Sequence, residues 1–200
     1  MVEPIQGEAG VIIPDEGYLQ GVRKLCDKYD VLLICDEVQT GFARTGALMC
    51  YDHEGVRPDI VVMAKALGGG MMPVSGVMCD DDIMLNIKPG EHGSTFGGNA
   101  LACAVAKRAV ELVFEENLCE RSQKLGDMLL DMLSQIKSPL VKDVRGKGLF
   151  CSLELQDDVE GSGLTAECMK RNVLVKATHK TVLRMAPALV ITEDELYEAA

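Results

Sequence analysis

The chain has 200 residues, a formal net charge of −11 at pH 7 and an apolar content of 48%. This acidic balance argues against binding to nucleic acid or to an anionic membrane surface, and no apolar run approaches the roughly 20 residues needed to span a bilayer. The length suits one large domain or two small ones with an ample core.

The cysteines favour a chain without disulfides or a bound metal. The sequence contains eight of them, and none stands in a C-x-x-C pair. Several lie within apolar runs, where a thiol packs as a small hydrophobic side chain. Reduced, buried thiols in a reducing compartment are therefore the expected state, and we predict no metal site.

The N-terminal 30 residues predict a strand end, a polar loop and a helix. Residues 1–6 resemble the end of a strand entering a loop rather than a signal or transit peptide. The loop carries two carboxylates, Glu3 and Glu8, which on their own indicate only a polar surface segment. From Pro14 onward, apolar residues recur at helical spacing up to Tyr29. A helix here would cross over to the next strand and complete a β-α-β unit.

Two short apolar runs come next, and each leads to a charged side chain. Residues 31–35 precede Asp36, and residues 60–64 precede Lys65. Both runs are rich in β-branched residues, as is typical of strands buried on both faces of a parallel sheet. Because ligands bind outside the carboxyl ends of such strands, we expect Asp36 and Lys65 to face one crevice. The alternative is a salt bridge between them, or two strand ends in solvent.

A glycine-rich segment after a further predicted strand (residues 73–79) is the second candidate. Residues 88–99 contain four glycines together with Ser94 and Thr95. Glycine allows close approach of the backbone, and the hydroxyl and amide donors suit phosphate oxygens. The alternative is an ordinary glycine-rich turn before a helix.

The rest of the chain predicts helices followed by strands. Asn99 is a good N-cap for a helix to about residue 116, and leucines and methionines over 118–136 mark one face of a second helix. Residues 144–150 lead into a strand of alternating character that ends at Leu155. A helix over 164–172, two short strands and a final helix with a capping box at residues 192–195 complete the chain.

Arg184 is the third candidate. A guanidinium matches a carboxylate with two parallel hydrogen bonds, so a single arginine can orient an amino acid or an oxo acid. A lone arginine near a strand end is otherwise a surface charge.

These segments closely resemble the class III, fold-type I aminotransferases, which depend on pyridoxal 5'-phosphate. The resemblance rests on DEVQTGFARTG at residues 36–46, KALGGG at 65–70, HGSTFGGN at 92–99 and RMAPA at 184–188. It implies an α/β fold in which part of the mostly parallel large-domain sheet is followed by an α+β small domain. Residues 1–116 would be the remnant of the domain that binds pyridoxal phosphate, and residues 117–200 a truncated C-terminal small domain.

The resemblance implies a cofactor role for five residues. Lys65 would carry the cofactor and move a proton, for which burial must lower the pKa of its amine. Asp36 would contact the pyridine nitrogen and favour its protonated form, which makes the ring an electron sink. Gln39 would bond the ring hydroxyl. Ser94 and Thr95 would reach across a dimer interface, with the threonine touching the phosphate of the neighbour's cofactor.

Three further residues are implied to contact the substrate. Arg184 would bind the substrate carboxylate, and Glu8 would pair with Arg184 as a specificity gate. Glu3 would lie near the cofactor and the substrate. Ala188 replaces the second proline that is usual after this arginine, which leaves the rigidity of the loop in question but not the identity of the arginine.

Within the family, residues 79–95 resemble the ornithine aminotransferases most closely. This implies transfer of the terminal amine of ornithine to 2-oxoglutarate by a homodimer, giving glutamate semialdehyde and glutamate. Acetylornithine and 4-aminobutyrate aminotransferases are the alternatives. A different alternative is a non-catalytic binding or interaction protein, because the resemblance covers only the second half of a typical member and we expect the isolated chain to be inactive. The expected compartment is the cytoplasm or the mitochondrial matrix.

Overall fold

Residues 1–200 form two β-sheets with helices packed against them in the computed structural model. In chain order the elements are α1 (Tyr18–Tyr29), β1 (Ile34–Asp36), β2 (Ile60–Met63), β3 (Gly76–Cys79), α2 (Asp81–Met84), α3 (Ala100–Glu115), α4 (Leu118–Ser134), β4 (Val141–Lys147), β5 (Phe150–Leu155), α5 (Gly161–Lys170), β6 (Lys176–Thr178), β7 (Val182–Met185) and α6 (Glu193–Ala199). Two 3-10 turns lie at Cys50–Glu54 and Lys65–Gly68. None of the helices combines the length and the apolar character that a membrane crossing requires.

The first sheet has the strand order β1-β2-β3 and is mixed. β1 lies parallel to β2, whereas β3 is antiparallel to β2. Val2 adds a parallel bridge to Cys35 along the other edge of β1. The predicted β-α-β unit is therefore present in a short form: the bridge at Val2, then α1, then β1. Leu19 of α1 packs with Leu33 and Cys35, so the helix covers one face of this sheet.

The first strand is shorter than predicted. β1 begins at Ile34 rather than Val31, because the Val31 N–H still donates to the Cys26 carbonyl in the turn that ends α1. Val31 and Leu32 are consequently exposed. The predicted burial of both runs on two faces is also wrong in extent, since in β1 and β2 only Cys35 and Val61 are buried.

Other boundaries in the first half also shift. α1 begins at Tyr18 rather than Pro14, directly after Gly17, whose φ of 82° is a left-handed conformation that glycine adopts easily. β3 begins at Gly76 rather than residue 73. Residues 14–15 and 73–75 have no regular structure and residues 16–17 form a turn, and hydrophobic spacing does not distinguish such segments from the ends of the elements.

The second sheet has the order β4-β5-β7-β6, and all of its neighbours are antiparallel. Residues 144–155 are predicted to form one strand of alternating character and the segment before it. They instead belong to a hairpin, in which β4 is followed by a turn at Gly148 and then by β5. β5 does not alternate, because five of its six residues are buried. Its central position between β4 and β7 explains this, since Cys151, Leu153 and Leu155 pack with leucines of α4, whereas Phe150 packs with Ile5 and Val11 of the N-terminal segment.

Helices α3 and α4 agree closely with the prediction. The Asn99 side chain accepts a hydrogen bond from the Ala102 N–H and caps α3. The predicted apolar face of α4 faces the main core, whose buried members are Leu125, Leu129, Leu133, Leu149, Cys151, Leu153, Leu155, Leu183 and Leu196. Two residues predicted on this face lie elsewhere: Leu118 packs in a second cluster with Phe42 and Val113, and Ile136 lies beyond the end of α4 and is exposed.

Two arginines connect the parts of the chain that carry the two sheets. Arg44, in the loop after β1, donates to the carbonyls of Leu149 and Pro187 at 2.9 and 2.6 Å. Arg145 of β4 donates to the carbonyls of Val11 and Gly10 at 3.0 and 2.6 Å. The division of the chain at residues 116 and 117 stays a prediction, but these contacts fix the N-terminal loop and the loop after β1 against the second sheet.

Candidate active site

Asp36 and Lys65 lie at the same edge of the first sheet. Asp36 ends β1 and pairs in parallel register with Val62 of β2, and Lys65 follows three residues later. Lys65 has a φ of 46°, a left-handed backbone conformation in which it opens the turn Lys65–Gly68. Such a conformation is strained for a residue with a side chain and is concentrated at functional sites.

Partial burial of Lys65 shifts its amine toward the neutral form, although most of the charged groups around it act in the opposite direction. The residue keeps an exposed surface, but partial desolvation lowers its pKa below the ordinary value for lysine. The guanidinium of Arg184 acts in the same direction, whereas the carboxylates of Glu8, Asp36 and Glu3 oppose the shift. The four charged groups therefore lie close enough to Lys65 to act on its titration, and the net effect is a lysine that loses its proton more readily.

A cavity of about 750 Å³ brings the candidate residues together. Its wall includes Gln39, Lys65 and Arg184, and most of the remaining lining residues are apolar. Val38 also lines it, and the Val38 N–H donates to Asp36 Oδ1 at 3.0 Å. The carboxylate of Asp36 is thereby held beside the cavity wall. A largely apolar pocket with a few convergent polar groups is the usual form of a small-molecule site.

Arg184 is held at this cavity by two acceptors. Its Nη1 donates to Glu8 Oε1 at 2.7 Å and to Gln39 Oε1 at 3.0 Å. The arginine side chain is only 15% exposed, whereas that of Glu8 is 58% exposed. Hydrogen bonds from Arg184 and then Lys176 lower the pKa of Glu8 to about 2. The carboxylate of Glu8 is therefore ionised at neutral pH and occupies Arg184.

The loop that carries Glu8 has a fixed backbone. Glu3 Oε2 accepts from the Gly7 N–H at 3.1 Å, and the N–H groups of Gly10 and Val11 both donate to the Gly7 carbonyl. Arg145 holds the carbonyls at the end of the loop, as described above. Glu3 thus supports the loop, and its proposed contact with a substrate stays a prediction.

Ser94 and Thr95 do not reach this cavity. Both are exposed, and Ser94 Oγ accepts from the Gly97 N–H within its own turn. The other predicted residues assemble at the cavity or beside it, whereas these two lie on a separate surface.

Sequence reasoning misses Lys176 and Arg145. Lys176 lies directly opposite Arg184 across β6 and β7, and its Nζ is 3.1 Å from Glu8 Oε2. Arg145 lies in the same row of the sheet, because it pairs with Ser152 and Ser152 pairs with Arg184. No local motif marks either residue, and only the register of the second sheet identifies them.

Known proteins are similar to this chain along its whole length. The family model for class-III aminotransferases matches residues 1–200. The mitochondrial ornithine aminotransferase of Rattus norvegicus is 53% identical over 201 residues, which cover 100% of this chain and 46% of the rat protein. The chain thus spans about half the length of the curated relatives it matches.

Two solved structures share the fold. An ornithine aminotransferase from Toxoplasma gondii, with partial occupancy of PLP at its active site, has a TM-score of 0.96 at 44% identity and covers 99% of this chain and 47% of its own. An acetylornithine aminotransferase from Elizabethkingia anophelis has a TM-score of 0.92 at 49% identity and covers 99% of this chain and 53% of its own. The predicted α/β, fold-type I architecture is confirmed, and this chain belongs to the class-III aminotransferases.

Proposed function

We propose that the protein carrying this chain transfers the terminal amine of ornithine to 2-oxoglutarate, giving glutamate semialdehyde and glutamate, with pyridoxal phosphate as cofactor. The observation that carries the proposal is the ion pair between Glu8 and Arg184 beside Lys65. One site must accept a diamino monocarboxylate in one half-reaction and a dicarboxylate in the other. While Glu8 pairs with Arg184, the arginine is not available to a carboxylate, which we call the masked state and which suits ornithine. When Glu8 moves away, the unmasked arginine binds a carboxylate of 2-oxoglutarate.

The residues at the cavity fit pyridoxal phosphate. The pKa of the Lys65 amine is lowered, which favours the unprotonated form that reacts with an aldehyde. Asp36 offers a carboxylate from the neighbouring strand end for the ring nitrogen, and Gln39 offers an amide for the ring hydroxyl. When bound, the cofactor supplies an aldehyde for the substrate amine and a protonated ring that accepts negative charge.

Lys65 is the residue that moves protons at the substrate. With the cofactor bound, the Lys65 amine would hold it and, when free, Nζ would take the proton from the carbon that bears the substrate nitrogen. The lowered pKa makes the unprotonated amine, which can act as a base, more accessible than that of an ordinary lysine. The 3-10 turn that begins at Lys65 fixes the backbone from which the amine works.

Arg184 orients the substrate and Glu8 selects it. With ornithine, Glu8 stays on Arg184, so the arginine does not capture a carboxylate and the terminal amine can approach Lys65. With 2-oxoglutarate, Glu8 leaves, and the guanidinium binds a carboxylate through two parallel hydrogen bonds. The low pKa of Glu8 keeps this choice independent of pH near neutrality.

A homodimer accounts for the position of Ser94 and Thr95. Both are exposed and outside the cavity of their own chain. We propose that they face the phosphate of a cofactor held by a second copy. Phe96, in the same segment, is 80% exposed, and burial of such a side chain between copies would contribute to association.

Two other functions remain as alternatives. The likeness to the acetylornithine aminotransferase of Elizabethkingia anophelis favours acetylornithine as the second candidate donor, and 4-aminobutyrate is a third. A non-catalytic protein with the same fold would bind the cofactor or a partner without turnover. The protein would work in the cytoplasm or the mitochondrial matrix, and the rat relative is a mitochondrial enzyme.

The test uses the protein expressed from its complete reading frame. Ornithine, acetylornithine and 4-aminobutyrate are each supplied with 2-oxoglutarate, and glutamate and the semialdehyde are measured. The proposal expects ornithine to be the best donor, and preference for either other donor overturns it. Borohydride reduction followed by peptide mapping should place the label on Lys65. A label on another lysine refutes the site, and a label without turnover supports the non-catalytic alternative.

A further inference from the structure

Lys176 shares the carboxylate of Glu8 with Arg184. Its Nζ lies 3.1 Å from Glu8 Oε2 and 3.4 Å from Oε1, whereas Arg184 Nη1 is 2.7 Å from Oε1. Lys176 and Arg184 are direct cross-strand partners in β6 and β7. Like charges directly opposite each other in a sheet are destabilising unless a counter-charge lies between them. Glu8 is that counter-charge.

We propose that Lys176 is a positioning residue that holds the Glu8 carboxylate when Arg184 is released for a dicarboxylate substrate. This inference rests on the proposed function, because it concerns how the same site changes from one substrate to the other.

The backbone of the N-terminal loop restricts how Glu8 can move. Glu3 holds the Gly7 N–H, and Arg145 holds the Gly10 and Val11 carbonyls. The loop therefore stays in place, and a change of side-chain rotamer is the available movement. The carboxylate already touches Lys176, so a small rotation transfers it from a position shared with Arg184 to one held by the lysine alone.

The charges of the two states explain why the lysine matters. In the masked state, Lys176 and Arg184 share one carboxylate. In the unmasked state with a dicarboxylate bound, Lys176 pairs with Glu8 and Arg184 pairs with the substrate, so each cation has its own carboxylate. Without Lys176, Arg184 alone would face both the Glu8 carboxylate and the substrate carboxylate that it binds. Lys176 therefore favours the binding of a dicarboxylate. It has little effect on the binding of ornithine, because Glu8 then stays paired with Arg184.

The experiment is a double-mutant cycle on the holoenzyme of the complete protein. Binding of glutarate, a dicarboxylate with no group to transaminate, is measured by calorimetry, and KM is measured for ornithine and 2-oxoglutarate. The single variants are K176M, K176R and E8A, and the double variant is E8A/K176M. K170M is the matched control, since Lys170 is an exposed lysine paired with Glu167 at 2.5 Å on α5, away from the cavity.

We expect K176M to weaken glutarate binding and raise the KM for 2-oxoglutarate by about two- to five-fold, the range of an exposed ion pair, with the KM for ornithine unchanged. K176R should restore both values, and K170M should leave them as they are. In the E8A background K176M should no longer change glutarate binding, because the carboxylate to be held is gone.

Three results overturn the inference. They are an unchanged affinity for glutarate in K176M, equal changes in both KM values, and an effect of K176M that persists in full without Glu8, which would mean that the lysine contacts the substrate itself. If the wild-type protein does not transaminate ornithine, the proposed function fails separately, and the glutarate cycle still tests Lys176.

Discussion

Glu8 and Arg184 are 176 positions apart in the chain, yet Oε1 of the first lies 2.7 Å from Nη1 of the second. The pair forms because β7 places the arginine at the cavity and Arg145 fixes the N-terminal loop against the same sheet. The contact makes a single carboxylate responsible for whether the arginine is available.

Replacing Glu8 by glutamine should therefore make dicarboxylates better ligands. The amide has no charge to hold Arg184, so glutarate should bind about five-fold more tightly, which corresponds to roughly 1 kcal/mol for an exposed ion pair. Calorimetric titration of the complete protein measures this. Glu193→Gln is the control, since Glu193 pairs with Lys124 at the surface and does not line the cavity. Equal affinities in wild type and Glu8→Gln would show that Arg184 is not masked.

The ion pair between Glu8 and Arg184 should make the stability of the protein depend on pH. The pKa of Glu8 is lowered from an ordinary value of 4.5 to about 2 by Arg184 and Lys176. A carboxylate whose pKa is lower in the folded state stabilises it above the unfolded pKa, and this contribution is lost as the pH falls through the folded pKa. The difference in melting temperature between wild type and Glu8→Gln should be constant above about pH 5 and narrow below about pH 4.5. If the difference in melting temperature narrows already between pH 7 and 6, the lowered pKa of Glu8 is contradicted.

The sequence alone locates the part of the site at the first sheet, but it does not locate all the residues that the second sheet contributes. Asp36 and Lys65 follow apolar runs, and the rule that ligands bind at the carboxyl ends of parallel strands places them together. Lys176 and Arg145 belong to the site only through the register of antiparallel strands, which no local pattern specifies.

The misplaced start of β1 has a related cause. Val31 and Leu32 continue the apolar run of the strand, but a backbone hydrogen bond from Val31 to Cys26 keeps them in the exit of α1. Hydrophobicity alone does not reveal this, because the competing partner is a main-chain carbonyl. By contrast, the caps of α3 and α6 follow from short-range side-chain hydrogen bonds, and both are confirmed.

The amine of Lys65 should react at lower pH than that of a paired surface lysine. Desolvation lowers the pKa of Lys65, so a larger share of it is unprotonated at pH 8 to 9. Lys142 is a good comparison, because hydrogen bonds from its ammonium to Asp157 and Glu154 raise its pKa. Competitive acetylation across a pH series, read by peptide mass spectrometry in protein freed of cofactor, gives both titrations. If Lys65 becomes reactive only at the pH at which Lys142 does, the lowered pKa of Lys65 is refuted.

Arg44 should contribute to stability by satisfying two carbonyls. Arg44 is half-buried, and desolvation of its guanidinium lowers its pKa to about 10. Methionine at position 44 fills similar space but leaves the Leu149 and Pro187 carbonyls without a donor, which should cost about 2–4 kcal/mol of unfolding free energy. Denaturant unfolding measures the loss. Arg171→Met, at an exposed position directly after α5, should change stability by less than about 0.5 kcal/mol. A similar effect of the two substitutions would show that Arg44 is not a structural link.

Gly126 should be intolerant of even a methyl group, although it lies in the middle of a helix. Alanine normally stabilises such a position by about 1 kcal/mol. Here a Cβ would overlap the carbonyl of Gly148 in the turn between β4 and β5. That turn cannot move aside, because Gly148 itself has a φ of 53° and lies against the backbone of residues 44–46.

Gly126→Ala should therefore lower the unfolding free energy by about 3 kcal/mol, as measured by denaturant unfolding. Gly21 in α1 is the matched control, since a Cβ there would meet nothing within 4 Å. Gly21→Ala should raise stability by about 0.5–1 kcal/mol through helix propensity alone. Opposite signs for the two substitutions would show that close contact between α4 and the turn decides the outcome. A stabilising Gly126→Ala would mean that the helix and the turn are further apart than described.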